Sequence, residues 1–575
     1  MTDPAQSIQG LQVSRLRQVA PFRASGGANA SAGGSGWTLA ALAIAALAGV
    51  PIAAIAWAAL ASGSTGGGET LGDLARTVLP TYIANTALLM LLAGGIAAVV
   101  GTGCAWLVAA TRFPGSTVLG WALVLPLALP AYLAAYIYAD MLDYAGPVQT
   151  ALRAATGWGA EDYAAPDIRS LGGGAFVLGF VLYPYVYLLA RTAFATQSFT
   201  QFRAARSLGA QPARAFWRVA LPAARPVIAG GLALVLMEVL ADFGVAEYFA
   251  IPTFSTGIFR SWLAMGDKQA ALKLAAIMLV FVIALVAWEA HTRRGRSDSR
   301  DGLAARGVNE EPLVTLSPLG KALALCACTL PVLLGFVLPA GYLASLALTD
   351  TAQAAAGDLA TYIRGSLWLG LAAAILCLVA ALLLAFARAR SASRITASAI
   401  RLATLGYALP GALLAVGLLA PLGAFDQSLT RFARDSLGWS GGLLLTGTSA
   451  VLVYALSVRF LTVAYNSVSG GLARIPPGLD AAARSLGAGP SRVLTRIYAP
   501  LLAPSLAGAA ALVFIDTLRE LPATLILRPF NLETLATRTY RLASDERLIE
   551  ASIPALILLA AGLLPVLVLN RLGKR

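Results

Sequence analysis

Four carboxylates stand in two matched pairs. Glu238 and Asp242 are four residues apart, as are Asp516 and Glu520, and each member of the first pair lies 278 positions before its counterpart in the second. A spacing of four puts both members of a pair on one face of a helix. Both pairs fall in or at the end of long apolar runs, where a carboxylate is costly and commonly lines a pathway. Four hard oxygen donors from two related helices could converge near an axis and would suit a ferric ion or another cation. Asp516, Arg519 and Glu520 could equally form an ion-pair network at a helix end, so no metal ligand is assigned from the spacing.

Other chemistry finds little support. The four cysteines are Cys104, Cys326, Cys328 and Cys377, all in or beside apolar segments. None forms a Cys-x-x-Cys pair and no histidine stands near them, so they read as small buried hydrophobes. The one histidine, His291, ends an apolar run beside Arg293 and Arg294 and reads as an interfacial residue. Tyr132, Tyr136, Tyr138, Tyr144, Tyr183, Tyr185 and Tyr187 gather in the first half. Phenolate binds ferric ion well, but aromatic belts at the membrane surface explain most of these tyrosines more simply.

The elements that carry the carboxylates must be membrane helices. The chain has 575 residues, of which 58% are hydrophobic and 12% charged, with a mean hydropathy of +0.75. Soluble domains carry about 25% charged residues, and no water-soluble fold covers so much apolar surface. A spanning helix needs about 20 mostly apolar residues. Twelve runs qualify: roughly 37–61, 84–110, 117–139, 174–191, 225–243, 272–291, 319–348, 365–387, 398–422, 441–464, 503–522 and 550–570. Backbone pairing in lipid then predicts an all-α polytopic protein.

Loop charges orient the runs. The loop after the fourth run carries Arg191, Arg203, Arg206, Arg214 and Arg218. The loop after the eighth carries Arg388, Arg390, Arg394 and Arg401. Arg459, Arg474, Arg484, Arg492 and Arg496 flank or follow the tenth, and Arg571, Lys574 and Arg575 follow the last. The positive-inside rule then places both termini in the cytoplasm. The net charge of +14 therefore reports topology rather than nucleic-acid binding. Residues 1–36, rich in Gly, Ala and Ser, are expected to form a disordered cytoplasmic tail. Residues 293–318 read as a polar cytoplasmic linker between a first transmembrane half at 37–292 and a second at 319–571.

The halves are duplicates. Thr81-Tyr82-Ile83 recurs as Thr361-Tyr362-Ile363, and Leu-Pro at Pro130 recurs at Pro410, each 280 positions later. The strongest repeat is a basic loop, in which 11 of the 20 residues of 203–222 recur 278 positions on. The first copy holds Ala204, Ala205, Arg206, Gly209, Pro212, Arg214, Arg218 and Pro222. The second holds Ala482, Ala483, Arg484, Gly487, Pro490, Arg492, Arg496 and Pro500. Ala-Ala-Arg-Ser-Leu forms a short helix, Gly209 or Gly487 ends it with positive φ, and Pro212 or Pro490 opens the next. That second helix should run to Pro222 or Pro500, just before a new span. Six helices per half insert in the same orientation, so the halves should pair about an axis along the membrane normal.

This loop, with its Ala-Ala, Gly and following Pro, resembles the cytoplasmic "EAA" loop of ABC-importer permeases. In that family it docks on an ATP-hydrolysing subunit. Arg203 and Ala481 occupy the position of the family's leading Glu, and Asp480 lies one position early in the second copy. MEVLADFGVAEYF at 237–249 and RELPATLILRPF followed by TLATRTY within 519–540 are similar to fused two-half permeases of ferric-iron importers. The resemblance implies an inner-membrane permease of a bacterium, partnered by two copies of a cytoplasmic ATPase and by a periplasmic substrate-binding protein. Thiamine, polyamine and sulfate permeases share the plan, and a twelve-helix secondary transporter shares the layout of halves. No GxxxxGK[ST] occurs and only four lysines are present, so ATP and Mg are expected on the partner and no cofactor on this chain.

Overall fold

The computed structural model describes residues 31–60, 67–159, 161–294, 314–349, 359–391, 393–438, 442–473, 475–476 and 478–572. The expected tail falls outside them except for 31–36, as does the linker apart from its ends. Helices account for the membrane elements, and among the described residues extended pairing is limited to one isolated bridge between Thr111 and Val314.

The first half contains α1 (Gly36–Leu60), α2 (Leu79–Ala110), α3 (Ser116–Ala128), α4 (Ala131–Thr156), α5 (Leu171–Ser207) and α6 (Pro212–Ala241). The short helices α7 (Gly244–Tyr248) and α8 (Phe254–Phe259) and the long α9 (Lys268–Arg294) complete it. The second half repeats the series. It runs through α10 (Pro318–Ala347), α11 (Leu359–Arg390), α12 (Arg394–Ala403), α13 (Gly411–Leu437), α14 (Ser449–Leu472) and α15 (Gly478–Ser485). It ends with α16 (490–519), α17 (Pro522–Leu527), α18 (Leu535–Ser544) and α19 (Leu548–Leu572).

Ten of these helices are long and apolar enough to span a membrane, against the twelve expected. Two runs account for the difference. The run 117–139 is bent by 91° between α3 and α4, and the run 550–570 lies on α19 (Leu548–Leu572), of which Leu548–Leu564 is the apolar stretch with described side chains. The bend has a local cause. A residue before proline is pushed out of the α region, and Leu129 and Leu409 are extended, with ψ of 117° and 122°, ahead of Pro130 and Pro410. The run expected at 398–422 is therefore divided too, and its span begins only at Gly411.

Packing is repeated as well. In the first half α2 lies along α5 with α6 against both; in the second α11 lies along α14 with α16 against both. Small residues allow the close approach. A Cβ on Gly101 would stand 2.8 Å from the Tyr183 carbonyl oxygen, and one on Gly370 2.7 Å from the Phe514 ring. The terminal helices are exchanged between halves. One buried core joins α2–α6 to residues of α10 and α19; the other joins α11–α16 to residues of α1 and α9. Tyr454 donates to the Leu47 carbonyl, and Tyr138 to the Leu334 carbonyl, across these exchanged contacts.

Several expectations change here. Tyr136, Tyr183 and Tyr187 are fully buried and Tyr132 and Tyr138 nearly so, which removes them from a surface belt; Tyr144 alone of the group is exposed. They fill the core because α4 and α5 lie inside the bundle. Cys104, Cys328 and Cys377 are buried as expected, but Cys326 is exposed on the outer face of α10. Gly101→Val should force α2 and α5 apart at a cost of about 1–3 kcal/mol, read as a lower thermal midpoint of the detergent-purified protein. The same change at Gly95, where a Cβ meets nothing within 4 Å, should leave the midpoint in place.

Candidate functional site

A cavity of about 400 Å³ opens between the halves where α6 and α16 end. All four carboxylates singled out in the sequence, Glu238, Asp242, Asp516 and Glu520, line it. So do Arg459, Arg519 and Tyr407 of the second half and Tyr132 and Tyr185 of the first.

The carboxylates do not share helical faces as spacing suggested. The helix α6 stops at Ala241, leaving Asp242 extended at ψ 131°; α16 stops at Arg519, leaving Glu520 extended at ψ 124°. The chain reverses there into α7 and α17, whose first N–H groups have no helical partner. The two acids supply one, and a negative group suits a helix N-terminus. Asp242 Oδ2 accepts from Ala246 N at 3.1 Å. Glu520 accepts from Ala523 N and Thr524 N, both at 2.9 Å, and from Thr524 Oγ1 at 2.8 Å.

The halves differ in how these charges are balanced. Arg519 Nη2 lies 2.8 Å from Asp516 Oδ1, as the ion-pair reading of the sequence anticipated. Glu520 pairs instead with Arg459, at 3.1 Å. Arg459 had been counted with the basic flank of a loop, yet it sits in the middle of α14 and is only 13% exposed. Its position inside an apolar run was the available signal. The pair closes over Gly411, where a Cβ would stand 2.4 Å from Arg459 Nη1 and 2.5 Å from Glu520 Oε1. At the corresponding repeat positions the first half has Ala131, Val181 and Ala241 in place of Gly411, Arg459 and Arg519. Glu238 accepts from the Tyr407 hydroxyl at 3.2 Å, and among the described residues neither Glu238 nor Asp242 has an ion pair. Arg519 Nη1 also donates to the Leu127 carbonyl at 2.7 Å. That carbonyl precedes Pro130, which has no N–H to offer it.

The repeated loops lie at the far ends of α6 and α16. Gly209 and Gly487 have φ of +85° and +81°. Ala210 N donates to Ala205 O at 3.1 Å and Ala488 N to Ala483 O at 3.0 Å, the six-to-one closure of a glycine-capped helix. Arg206 Nη1 ties the first turn to the Ala210 carbonyl at 2.6 Å. The turns present Leu208 and Leu486, each 88% exposed. Ala204, Ala482, Arg214, Arg218, Arg492 and Arg496 are exposed around them, whereas Ala483 faces inward. The side chains of Arg484 and Pro490 lie outside the described ones. One expectation fails: the helices do not stop at Pro222 and Pro500. Wider π turns at Phe216–Ala220 and Leu494–Tyr498 absorb each proline, and the loop helix continues directly into the span. A π turn accommodates the missing N–H and the ring without ending the helix.

Gly411→Ala should separate Arg459 from Glu520 and leave two buried charges unmatched, at a cost of about 3–5 kcal/mol. Thermal unfolding of the purified chain reads it, with Ala131→Gly at the matched position as the neutral control.

Residues 101–292 match the family described as the binding-protein-dependent transport system inner membrane component. An Fe(3+)-transport system permease protein of Haemophilus influenzae is 25% identical over 502 residues, covering 87% of this chain and 91% of the relative. A putative 2-aminoethylphosphonate transport system permease of Salmonella typhimurium is 32% identical over 135 residues, 24% of this chain and 51% of the relative. A sulfate transport system permease of Escherichia coli is 25% identical over 227 residues, 38% of this chain and 75% of the relative. With two repeated halves, a multi-pass helical fold and one copy of the glycine-capped loop in each, the chain is similar to the inner-membrane permeases of binding-protein-dependent transport systems.

Proposed function

We propose that this permease carries ferric iron, and that the axial cavity is its route. The observation that carries the reading is the likeness to an Fe(3+)-transport permease through both halves, together with a cavity walled by four carboxylates. Hard oxygen donors match a hard cation. The relatives that serve sulfate and 2-aminoethylphosphonate align with smaller parts of the chain. A secondary transporter independent of ATP would have no use for two matched glycine-capped loops.

Two ATPase subunits dock on the loops at 202–220 and 480–498, and a periplasmic binding protein delivers cargo to the opposite face. Both termini are cytoplasmic. Because each loop helix is continuous with α6 or α16, closure of the ATPases on ATP moves the far ends of these helices, and with them the walls of the cavity. Access then alternates between the two faces. ATP and Mg stay with the partner. Gly209 and Gly487 hold the docking turns, and the exposed Arg214, Arg218, Arg492 and Arg496 stand where they meet the ATPase.

Two measurements test this. Proteoliposomes holding this chain with its ATPase should take up radiolabelled ferric ion from the loaded binding protein, and labelled sulfate should stay outside; the reverse result would remove iron as cargo. Gly487→Val places a β-branched residue at φ +81°, a conformation that costs about 1–2 kcal/mol for an L-residue. ATP hydrolysis should persist while uptake falls by an order of magnitude or so; unchanged uptake would count against the coupling role.

A further inference from the structure

We infer that the cation rests on one wall of the cavity only: Glu238 and Asp242 of the first half bind it, while Asp516 and Glu520 of the second half are internal counter-charges. The inference rests on the iron reading above and assigns the residues that act within it.

Charge balance is the first ground. Four carboxylates meet two guanidiniums in the cavity, and both guanidiniums belong to the second half. Arg519 is bonded to Asp516 and Arg459 to Glu520. Glu520 receives three further hydrogen bonds, from Ala523 N, Thr524 N and Thr524 Oγ1, so little of its lone-pair capacity remains. The two carboxylates with no guanidinium in bonding contact, among the described residues, are Glu238 and Asp242. Asp242 accepts from backbone N–H groups of α7, and Glu238 from the Tyr407 hydroxyl.

The second ground is that the difference between the halves is coordinated. Gly411 and Arg459 go together, because any side chain at 411 would intrude on the Arg459–Glu520 pair, and Arg519 separately matches Asp516. The first half has Ala131, Val181 and Ala241 instead, an apolar surround that leaves its acids open to a cation.

A third observation is independent of the acids. Tyr132 lines the same cavity, is 6% exposed, and its hydroxyl has no hydrogen-bond partner. A buried unpaired hydroxyl is costly. Gly244, two residues after Asp242, makes room for this ring: a Cβ there would stand 2.4 Å from Tyr132 Cβ. The ring is thus held in the cavity wall with its hydroxyl unpartnered, near Arg519 and Glu520. Among the described residues no group of three or more His, Cys, Asp or Glu side chains is placed to hold a metal ion. Two carboxylates and a phenol are fewer donors than the six to eight or so that a firmly held hard cation takes, and a sparse set releases its cargo.

The test uses the complete transporter in proteoliposomes, with ferric uptake and binding-protein-stimulated ATP hydrolysis measured together. Glu238→Gln and Asp242→Asn should each lower uptake at least about thirtyfold with hydrolysis retained, and Tyr132→Phe should lower it severalfold. Asp516→Asn keeps the oxygen that Arg519 bonds and should lower uptake far less than either change on the first wall. Equal losses on both walls, or full uptake by Glu238→Gln, would overturn the one-sided site while leaving iron as the cargo. Absence of ferric uptake by the parent transporter would instead overturn the cargo reading and this site with it. Retained hydrolysis in every variant separates these outcomes from misfolding.

Discussion

Inside a bilayer a broken helix leaves backbone groups that water cannot reach, and every such group must find a partner within the protein. This fold breaks its helices around one axis, at Pro130 and Pro410 and again after Ala241 and Arg519. The side chains that line the cavity are largely those that satisfy the breaks. Arg519 takes the carbonyl of Leu127 from the opposite half, and Asp242 and Glu520 take the first amides of α7 and α17. Polar groups between the halves are therefore present for structural reasons before any cargo arrives. The site differs from the scaffold only where such a group keeps capacity to spare.

The same helices join the cavity to the surface. In α6 and α16 a wide turn carries the helix past a proline, so the chain that follows the glycine-capped turn reaches the cavity wall as one continuous helix about 45 Å long at 1.5 Å per residue over 30 residues. A helix that stopped at Pro222 or Pro500 would have put a hinge between the repeated loop and the cavity. The exchange of the outer helices works to the same end. With α1 and α9 packed on the second half and α10 and α19 on the first, each half is held to the other through a shared core.

Quasi-symmetry explains both the strength and the limit of reading this chain from its repeats. Equivalent glycines end equivalent helices, and matched Thr–Thr capping boxes begin α8 and α18, at Thr253 with Thr256 and Thr534 with Thr537. Where the repeats diverge, the divergence is concentrated at the cavity. Three substitutions between the halves convert an open acidic wall into a neutralised one.

Much of this was legible in the sequence. Apolar runs of helical length gave the fold class, the 278-residue offset gave the halves, and the Gly–Pro turn gave the loops, because hydropathy, chain reversal and backbone conformation are local properties. The four carboxylates were found for the same reason: an acid in an apolar run is conspicuous wherever it points. Which of them are free was not legible. Arg459 reads as one more basic loop residue until α14 carries it to Glu520, and Tyr132 reads as one more belt tyrosine until α4 turns inward at Pro130. The helix ends after Ala241 and Arg519 also escaped, since a spacing of four reads as one helical face in either case. Sequence by itself determined the helices, the duplication and the residues worth watching. Only the tertiary structure decided which charges cancel, because that depends on distances between segments hundreds of residues apart.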